Sequence, residues 1–312
     1  MGIFKNKVRL EDRELLQEYF MGYRYCTSGL SFSSLYMWRD INDFTWEIIG
    51  DYLCIVGMSH LELEDGIILP FMEMPLTKTG YYEPEKLRYT ILKAKEKIEE
   101  AGYPFSLRLV PFPLTEELEK AFPGELKIVD DRPNFDYLYE KNDLIELKGR
   151  SLHKKKNHMN YFLKNYEYEY REMTSDMADD AMEFIAEFNA KKNIPPHEME
   201  LLKMEERAMK DVFENIEAAK YTAGAIYMNG KIEALSVGGI INSNTMGVHI
   251  EKANTDYRGL YQIINMEFCK HLPKSIKYVN REEDMGLPGL RKAKLSYKPI
   301  KLVEKYIATF KK

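Results

Sequence analysis

Residues 223–241, AGAIYMNGKIEALSVGGII, predict two β-strands joined by a tight turn. Asn229-Gly230 is the strongest short signal for a two-residue hairpin loop, and the flanking segments are rich in apolar residues. The two strands are predicted at residues 223–228 and 232–241. A third strand at residues 246–251 extends the hairpin into a meander.

The elements around this hairpin alternate strands with helices. Apolar residues recur at helical spacing in some segments and at strand spacing in others. The helices cover residues 151–166, 177–189, 198–216 and 257–272, and the strands cover 167–172, 276–280 and 302–308. Helices that connect strands require some parallel pairing, so a mixed sheet is expected.

The first half of the chain repeats this order. Residues 45–58 predict a second hairpin with Gly50-Asp51 as its turn. It is followed by a strand at 66–72, a helix at 85–101, a strand at 105–110, a short helix from Thr115, and strands at 126–129 and 137–140. The chain is therefore predicted to be an α+β protein of two domains, residues 1–142 and 143–312. Each domain would be a mixed β-sheet flanked by helices, and the order of its elements resembles the core of GNAT-like N-acyltransferases.

The composition fits two folded domains in a reducing compartment. The chain has 312 residues, 45% of them hydrophobic, which is enough to bury two cores. No stretch is apolar enough to span a membrane and residues 1–16 lack the apolar region of a signal peptide, so a cytoplasmic location is expected. The scattered Cys26, Cys54 and Cys269 predict free thiols. A net charge of -5 gives no general reason to expect nucleic acid or an anionic membrane as a partner.

Several common catalytic motifs are missing. The sequence contains no GxxxxGK[ST], HExxH, GxSxG or GxGxxG pattern. The histidines His60, His197, His249 and His271 are isolated, and packing or surface roles are predicted for them.

A basic run at residues 148–164 is the first candidate site. It contains six Lys or Arg residues and no acid. On a helix capped by Ser151, the side chains of Lys154, Lys155, Lys156 and Asn157 could hold the phosphates of coenzyme A, a tRNA acceptor stem or a lipid headgroup. The alternative is a solvated basic face.

The second candidate lies between a strand and a helix, at residues 251–262. Coenzyme-A-dependent acetyltransferases carry an Arg/Gln-x-x-Gly-x-Gly/Ala loop at this junction, and its backbone N–H groups bind pyrophosphate. Arg258 and Gly259 are what remains of that pattern, with the bulky Leu260 and Tyr261 after them. Arg258, Gly259 and Tyr261 are therefore candidate cofactor-binding residues, and an ordinary turn that needs one glycine is the alternative.

The third candidate is the segment after the strand at residues 276–280. Ligands of mixed α/β sheets tend to bind where strands end. Here Glu282, Glu283 and Asp284 could each accept a proton from an attacking amine, while Asn280 and Arg281 could bind the substrate, Arg281 through an anionic group. Arg281 is expected to be held by a carboxylate in a cleft shared with the start of the helix at 257–272. The alternative is a charged surface turn.

Three blocks of sequence together resemble the DUF2156 family. They are SFSSLYMWR at residues 31–39, the run from Leu147 to Phe162, and NREEDMGLPGLRKAKLSYKP at residues 280–299. This family is similar to the cytosolic C-terminal domain of phosphatidylglycerol lysyltransferase. The resemblance covers nearly the whole chain.

The resemblance implies two fused GNAT-like domains that transfer an aminoacyl group from aminoacyl-tRNA to an amine or hydroxyl acceptor. Degenerate coenzyme A loops are common in such relatives, which agrees with Leu260 and Tyr261. The membrane-embedded half of the full lysyltransferases has no counterpart here, so a small molecule stands beside a lipid headgroup as the expected acceptor. Two alternatives stay open: an acetyl-CoA-dependent N-acetyltransferase, and a non-catalytic binding protein on a transferase scaffold. The site is expected between the halves, on the second domain, near the split between strands 246–251 and 276–280.

Overall fold

A computed structural model describes residues 2–23, 25–59, 69–192, 195 and 199–311 of the chain. His60, His197 and residues 66–68 of the predicted strand at 66–72 lie outside these residues. The chain divides into two compact units. Unit 1 consists of Met1–Asp136, Glu283–Leu287 and Val303–Lys312, and unit 2 of Tyr137–Glu282 and Pro288–Leu302.

The strands and helices follow one another along the chain much as predicted. The strands are β1 Asn6–Lys7, β2 Thr45–Ile49, β3 Tyr52–Ser59, β4 Leu69–Met72, β5 Leu107–Pro111, β6 Leu126–Asp130, β7 Asp136–Glu140, β8 Glu169–Glu172, β9 Thr222–Met228, β10 Lys231–Asn242, β11 Thr245–Ala253, β12 Tyr278–Asn280, β13 Lys301–Val303 and β14 Lys305–Phe310. The α-helices are α1 Arg13–Met21, α2 Phe32–Met37, α3 Pro84–Glu100, α4 Phe112–Ala121, α5 Lys141–Glu146, α6 His153–Asn165, α7 Ala178–Ala190, α8 Met199–Glu214, α9 Leu260–His271 and α10 Pro288–Leu295. Among the described residues, none of these helices is long and apolar enough to cross a membrane.

The sheet of unit 1 has the strand order β1-β2-β3-β4-β5-β14-β6. β2, β3 and β4 form an antiparallel meander, whereas β4 and β5 are parallel and pair through Met72 and Leu107. Helix α3 starts at Pro84, a residue well suited to the first turn, and buries Leu87 and Ile91 completely. The sheet is therefore mixed and flanked by helices, as predicted.

The sheet of unit 2 repeats this order in the sequence β8-β9-β10-β11-β12-β7-β13. β10 pairs antiparallel with β9 across the Asn229-Gly230 turn and antiparallel with β11 on its other side, and β11 is parallel to β12. Ile263, Ile264 and Cys269 of α9 are fully buried in the core of this unit. Both sheets therefore place a parallel pair after an antiparallel meander, and the predicted α+β class with two GNAT-like mixed sheets is confirmed.

The sixth position of each sheet is filled by a strand from the other half of the chain. The single strand predicted at residues 302–308 is in fact two strands: β13 lies in the sheet of unit 2, and β14 lies between β5 and β6 in unit 1. The strand predicted to close the first half, 137–140, is part of β7, next to β12. The predicted domains, 1–142 and 143–312, were continuous, whereas each compact unit combines separate stretches of the chain.

A buried ion pair explains why β14 belongs to unit 1. The Nζ atom of Lys305 lies 2.6 Å from Asp136 Oδ1 and 3.2 Å from Ser28 Oγ, and the Lys305 side chain is 2% exposed. A lysine in such a position needs a charged partner, because an unpaired buried charge is very costly. Asp136 therefore fixes the first residue of β14.

Two short helices are absent from the sequence predictions. Residues 288–295 form α10. The aromatic run after Ser34 belongs to α2, which is capped by the Ser31 hydroxyl accepting from the Ser34 N–H. Cys26, Cys54 and Cys269 form no disulfide, and Cys54 and Cys269 are buried.

Candidate functional site

The parallel strands of unit 2 separate soon after they meet. β11 and β12 pair at Thr245–Tyr278, Met246–Val279 and Gly247–Asn280, and β12 then ends while β11 continues to Ala253. A register shift between Val237 and Gly238 on β10 marks a bulge in β11 near His249. The two strand ends therefore form a split that side chains from both strands can reach.

A buried ion pair connects the two sides of this split. Nη2 of Arg281, directly after β12, donates to Oε1 of Glu251 on β11 at 2.6 Å. The side chains are only 13% and 9% exposed. Asn265 Nδ2 on α9 donates to the other carboxylate oxygen at 3.0 Å. The predicted contact of Arg281 with a carboxylate is thus present.

One nitrogen of the Arg281 guanidinium has no hydrogen-bond acceptor among the described residues. This atom, Nη1, is buried. Burial works against the charge, but the Glu251 carboxylate together with Tyr297, Tyr139 and Cys269 outweighs it and raises the pKa of Arg281 above its ordinary value. A buried cation with a spare donor is suited to an anionic or carbonyl oxygen.

Other polar groups of the site lie around the side chain of Tyr297. The Arg281 guanidinium carbon lies 4.7 Å from the ring centre, and Nζ of Lys155 lies 3.7 Å from it. Gln262 Nε2 at the start of α9 donates to the Tyr297 hydroxyl at 3.1 Å. Tyr139 also borders Arg281, at 5.9 Å from ring centre to guanidinium carbon, and its hydroxyl donates to the backbone oxygen of Lys294. The site therefore joins β11, β12, α6 and α9, together with the residues after α10.

The three consecutive lysines of α6 point to different partners. Burial and the charge of Arg281 lower the pKa of Lys155 to about 8, and Glu251 partly opposes them. Lys156 instead donates to the backbone oxygen of Glu146 at 2.8 Å and caps α5, while Lys154 is exposed. Asn157 is exposed as well, 3.4 Å from His153. All three lysines lie on one helix, as predicted, and Lys155 is the one beside Arg281.

Gly259 has a structural reason to be glycine. Its φ of +98° is unfavourable for other residues, and a Cβ atom would lie 2.2 Å from the backbone oxygen of His158. The N–H of Leu260 donates to Tyr257 O, and the N–H of Gln262 to Gly259 O. Gly259 therefore lets α9 approach α6 closely. The N–H groups of Leu260 and Gln262 already have acceptors, although a pyrophosphate loop would need such donors for its ligand.

The two other candidate cofactor-binding residues lie apart. Arg258 is exposed, with its guanidinium carbon 4.8 Å from the centre of the Tyr161 ring. Tyr261 is half-buried, and burial followed by the Glu251 charge raises the pKa of its hydroxyl. Tyr261 is thus close enough to Glu251 and Arg281 to feel the charge of both.

Glu282 is held by two contacts. Its N–H donates to Oδ1 of the fully buried Asn280 at 2.7 Å, in a left-handed backbone conformation with φ of +57°. Its Oε1 lies 2.8 Å from Nδ1 of His249, whose side chain is completely buried. Asn280 therefore fixes the turn after β12, and His249 orients the Glu282 carboxylate. Sequence reasoning missed His249, and its position beside the strand split is the signal that could have identified it.

The two other predicted bases belong to unit 1. Asp284 is fully buried, 3.0 Å from Nη1 of Arg132, and accepts from the N–H of Gly286 at 2.9 Å. Glu283 Oε2 lies 3.7 Å from Nζ of Lys305. Asp284 is thus part of a turn, and Glu282 is the carboxylate that accompanies the split in unit 2.

Comparison with known proteins finds a family model that matches most of the chain. The family model described as "Phosphatidylglycerol lysyltransferase, C-terminal" matches residues 22–309. An uncharacterised protein of Mycoplasmoides gallisepticum is 29% identical over 174 residues, 55% of this chain, and that match spans only 54% of the relative's own length.

Two solved structures are similar along nearly their whole length. A conserved protein of unknown function from Bacteroides thetaiotaomicron is 34% identical, with a TM-score of 0.87 and 100% of both chains covered. The C-terminal DUF2156 domain of a lysylphosphatidylglycerol synthetase homologue from Agrobacterium fabrum is 13% identical, with a TM-score of 0.63 and coverage of 96% of this chain and 91% of that one. The second likeness concerns the fold alone.

Proposed function

Since the chain belongs to the family of the phosphatidylglycerol lysyltransferase C-terminal domain, we propose that it transfers an aminoacyl group from aminoacyl-tRNA to an amine or hydroxyl acceptor. The GNAT-like acyltransferase fold and the family support acyl transfer. The proposal adds the donor, the acceptor class and the site, which is the strand split of unit 2.

The buried Arg281–Glu251 pair carries this proposal. Acyl transfer develops negative charge on the carbonyl oxygen as the nucleophile attacks, and a preorganised donor in a water-poor site stabilises that charge. The spare Nη1 donor of Arg281 meets this requirement. Glu251 and Asn265 hold the guanidinium in place, so little reorganisation is needed when the charge appears.

Glu282 is the candidate base in this proposal. An attacking amine or hydroxyl must lose a proton, and a carboxylate within reach can accept it. His249 and Asn280 fix the position of Glu282 beside the split. Asp284 is already committed to Arg132 and to the N–H of Gly286, so it is a poor candidate.

The exposed surface near the start of α9 suits the RNA part of the donor. Arg258 stacks on Tyr161, and Lys154 is exposed on the same helix as Tyr161. Cations bind the phosphate backbone of a nucleic acid, and an aromatic ring beside a guanidinium offers a stacking surface for an unpaired base. Lys155 would add a positive charge next to Arg281.

The test follows radiolabelled amino acid from charged tRNA in the presence of small amines and of phosphatidylglycerol vesicles. Transfer to one acceptor class is the expected result, and Arg281→Ala should abolish it while the circular dichroism spectrum is unchanged. Arg171→Ala is the matched control, because Arg171 is exposed and pairs with Glu169. A melting temperature raised by acetyl-CoA, with no response to charged tRNA, would favour the acetyltransferase alternative.

A further inference from the structure

Unit 1 contains a strand split of its own. β4 and β5 are parallel and pair at Met72 and Leu107. They occupy the same places in the strand order of unit 1 as β11 and β12 do in unit 2. Glu73 follows directly after β4, so a carboxylate lies at this split too.

The carboxylate of Glu73 is not paired as Glu251 is. In unit 2 the arginine after β12 bonds to the carboxylate of β11. In unit 1 the arginine of β5, Arg108, is paired with Asp131 at 3.3 Å. Glu73 is 4% exposed, and its Oε2 atom is buried without a hydrogen-bond partner among the described residues. A buried acceptor left without a donor costs free energy, so this atom is suited to a partner supplied from outside.

Lys305, the cation whose charge acts on Glu73, already has hydrogen-bond partners of its own. It bonds to Asp136 Oδ1 and Ser28 Oγ, and it also lies 3.7 Å from Glu283. Burial raises the pKa of Glu73 to about 7, and the charge of Lys305 opposes this rise. Glu73 therefore changes its charge in the physiological pH range.

Gly29 leaves room in front of this carboxyl group. The residue is half-buried, and a Cβ atom built on it would meet a single atom within 4 Å, Oε1 of Glu73 at 3.8 Å. Its neighbour Ser28 is fixed by N–H and hydroxyl bonds to Asp136 of 2.8 and 3.0 Å. Gly29 thus follows a residue that two hydrogen bonds hold in place, and no side chain on Gly29 separates it from the carboxyl group of Glu73.

We propose that unit 1 binds a small primary amine at this split, with the ammonium group donating to Glu73 after passing Gly29. An ammonium supplies the donors that the carboxylate lacks, and it has a compact positive charge. A metal ion is a poorer match, because no group of three potential ligand side chains occurs in the described ranges of the chain. This site is separate from the proposed acyl-transfer chemistry of unit 2 and does not rest on it.

The experiment titrates n-butylamine at pH 8 and at pH 6 into the full chain, followed by heteronuclear NMR, with n-butanol as the uncharged probe. Amine binding should be about tenfold tighter at pH 8 than at pH 6, because Glu73, with a pKa of about 7, must lose its proton to pair with the ammonium. Glu73→Gln should abolish the binding, since the amide keeps the shape and loses the charge. Gly29→Ala should weaken it several-fold.

Two controls make the outcome decisive. Glu100→Gln removes an exposed carboxylate of the same unit, and Gly289→Ala adds a methyl group with nothing within 4 Å of it. Both should bind butylamine like the unaltered chain. The proposal is overturned if the unaltered chain does not bind the amine at either pH, if butanol binds equally well, or if Glu73→Gln binds the amine as before.

Discussion

At the scale of single residues, the guanidinium of Arg281 depends on Glu251 for its charge balance. Replacing Glu251 by Gln leaves a buried cation without its counter-ion, and losing one partner of a buried pair costs about 3–5 kcal/mol. Because Gln still offers an oxygen to Arg281, we expect the free energy of unfolding to fall by about 3 kcal/mol. Urea denaturation measures this change.

The matched control for that substitution is Glu169→Gln. Glu169 pairs with Arg171 on the surface, with side chains that are 60% and 43% exposed, so its loss should change stability by less than about 1 kcal/mol. Equal unfolding curves for Glu251→Gln and the unaltered chain would show that the buried pair contributes no net stability.

Lys155 predicts a pH dependence of donor binding. Its pKa of about 8 means that the ammonium is charged at pH 7 and mostly neutral at pH 9. Binding of uncharged tRNA, measured by filter retention at constant salt, should therefore weaken over this range. Lys155→Arg keeps its charge at pH 9 and should remove the Lys155-dependent part of the loss. An identical pH profile in Lys155→Arg would contradict the role of Lys155.

Glu73 predicts a pH dependence of stability with the opposite sign to that of most carboxylates. Its pKa is raised from 4.5 to about 7 on folding, so the folded state holds the proton more tightly. The resulting stability is complete below pH 4.5 and is lost as the pH rises through 7, by up to about 3 kcal/mol. Relative to the unaltered chain, Glu73→Gln should therefore gain stability between pH 5 and pH 8 in thermal unfolding. A constant difference over that range would mean that Glu73 does not titrate as described.

Sequence patterns singled out Arg281, and Lys155 as one of three consecutive lysines, but not the residues that contact them. Arg281 stood out because charged residues crowd after a predicted strand. Glu251 and His249 lie within a strand whose pattern gives no sign of the bulge at His249. Their roles depend on contacts between residues about 30 positions apart, such as Glu251 with Arg281, which no local pattern records.

At the scale of elements, the contact of α6 with α9 depends on Gly259. Alanine there would adopt an unfavourable φ of +98° and place its Cβ 2.2 Å from His158 O, so the two helices would have to move apart. We expect Gly259→Ala to destabilise the protein by roughly 2 kcal/mol or more. Differential scanning fluorimetry should show a lower melting temperature for it than for Gly289→Ala, whose Cβ is unobstructed. Equal melting temperatures would mean that the helices adapt at little cost.

The elements themselves were largely predictable because their signals are local. Hairpin turns, the glycine after α3 and the helical spacing of apolar residues place most strands and helices within a few positions. Helix α10 was missed because Pro288 and Gly289 are typical of loops, although proline is favoured at the first position of a helix.

At the scale of the whole molecule, β14 adds a strand from residues 305–310 to a sheet whose other strands all lie within residues 6–130. Ending the chain after Val303 would remove the strand between β5 and β6 and leave Asp136 without Lys305. We expect unit 1 to become sensitive to limited proteolysis while the described strands β8 to β12 of unit 2 stay protected. Removing only residues 311–312 is the control, and protection of residues 45–130 in the shorter chain would contradict the prediction.

The exchange of strands was beyond local prediction. The sequence of residues 302–308 has the pattern of one strand, and the pattern does not record that the chain changes sheets at Glu304. The order of elements along the chain was sufficient to predict the fold class. Both sheets have the same strand order, and the fold class does not depend on which half of the chain supplies the sixth strand.

The place of β14 also sets the order in which a growing chain can fold during translation. Every residue of unit 2 precedes Lys305 along the chain, so β14 is the last strand that either sheet acquires during synthesis. The sheet of unit 1, whose first strands are made earliest, must wait with a gap between β5 and β6 until β14 emerges. Nascent chains therefore carry an open sheet edge through most of their synthesis, and that edge is where chaperones would be needed.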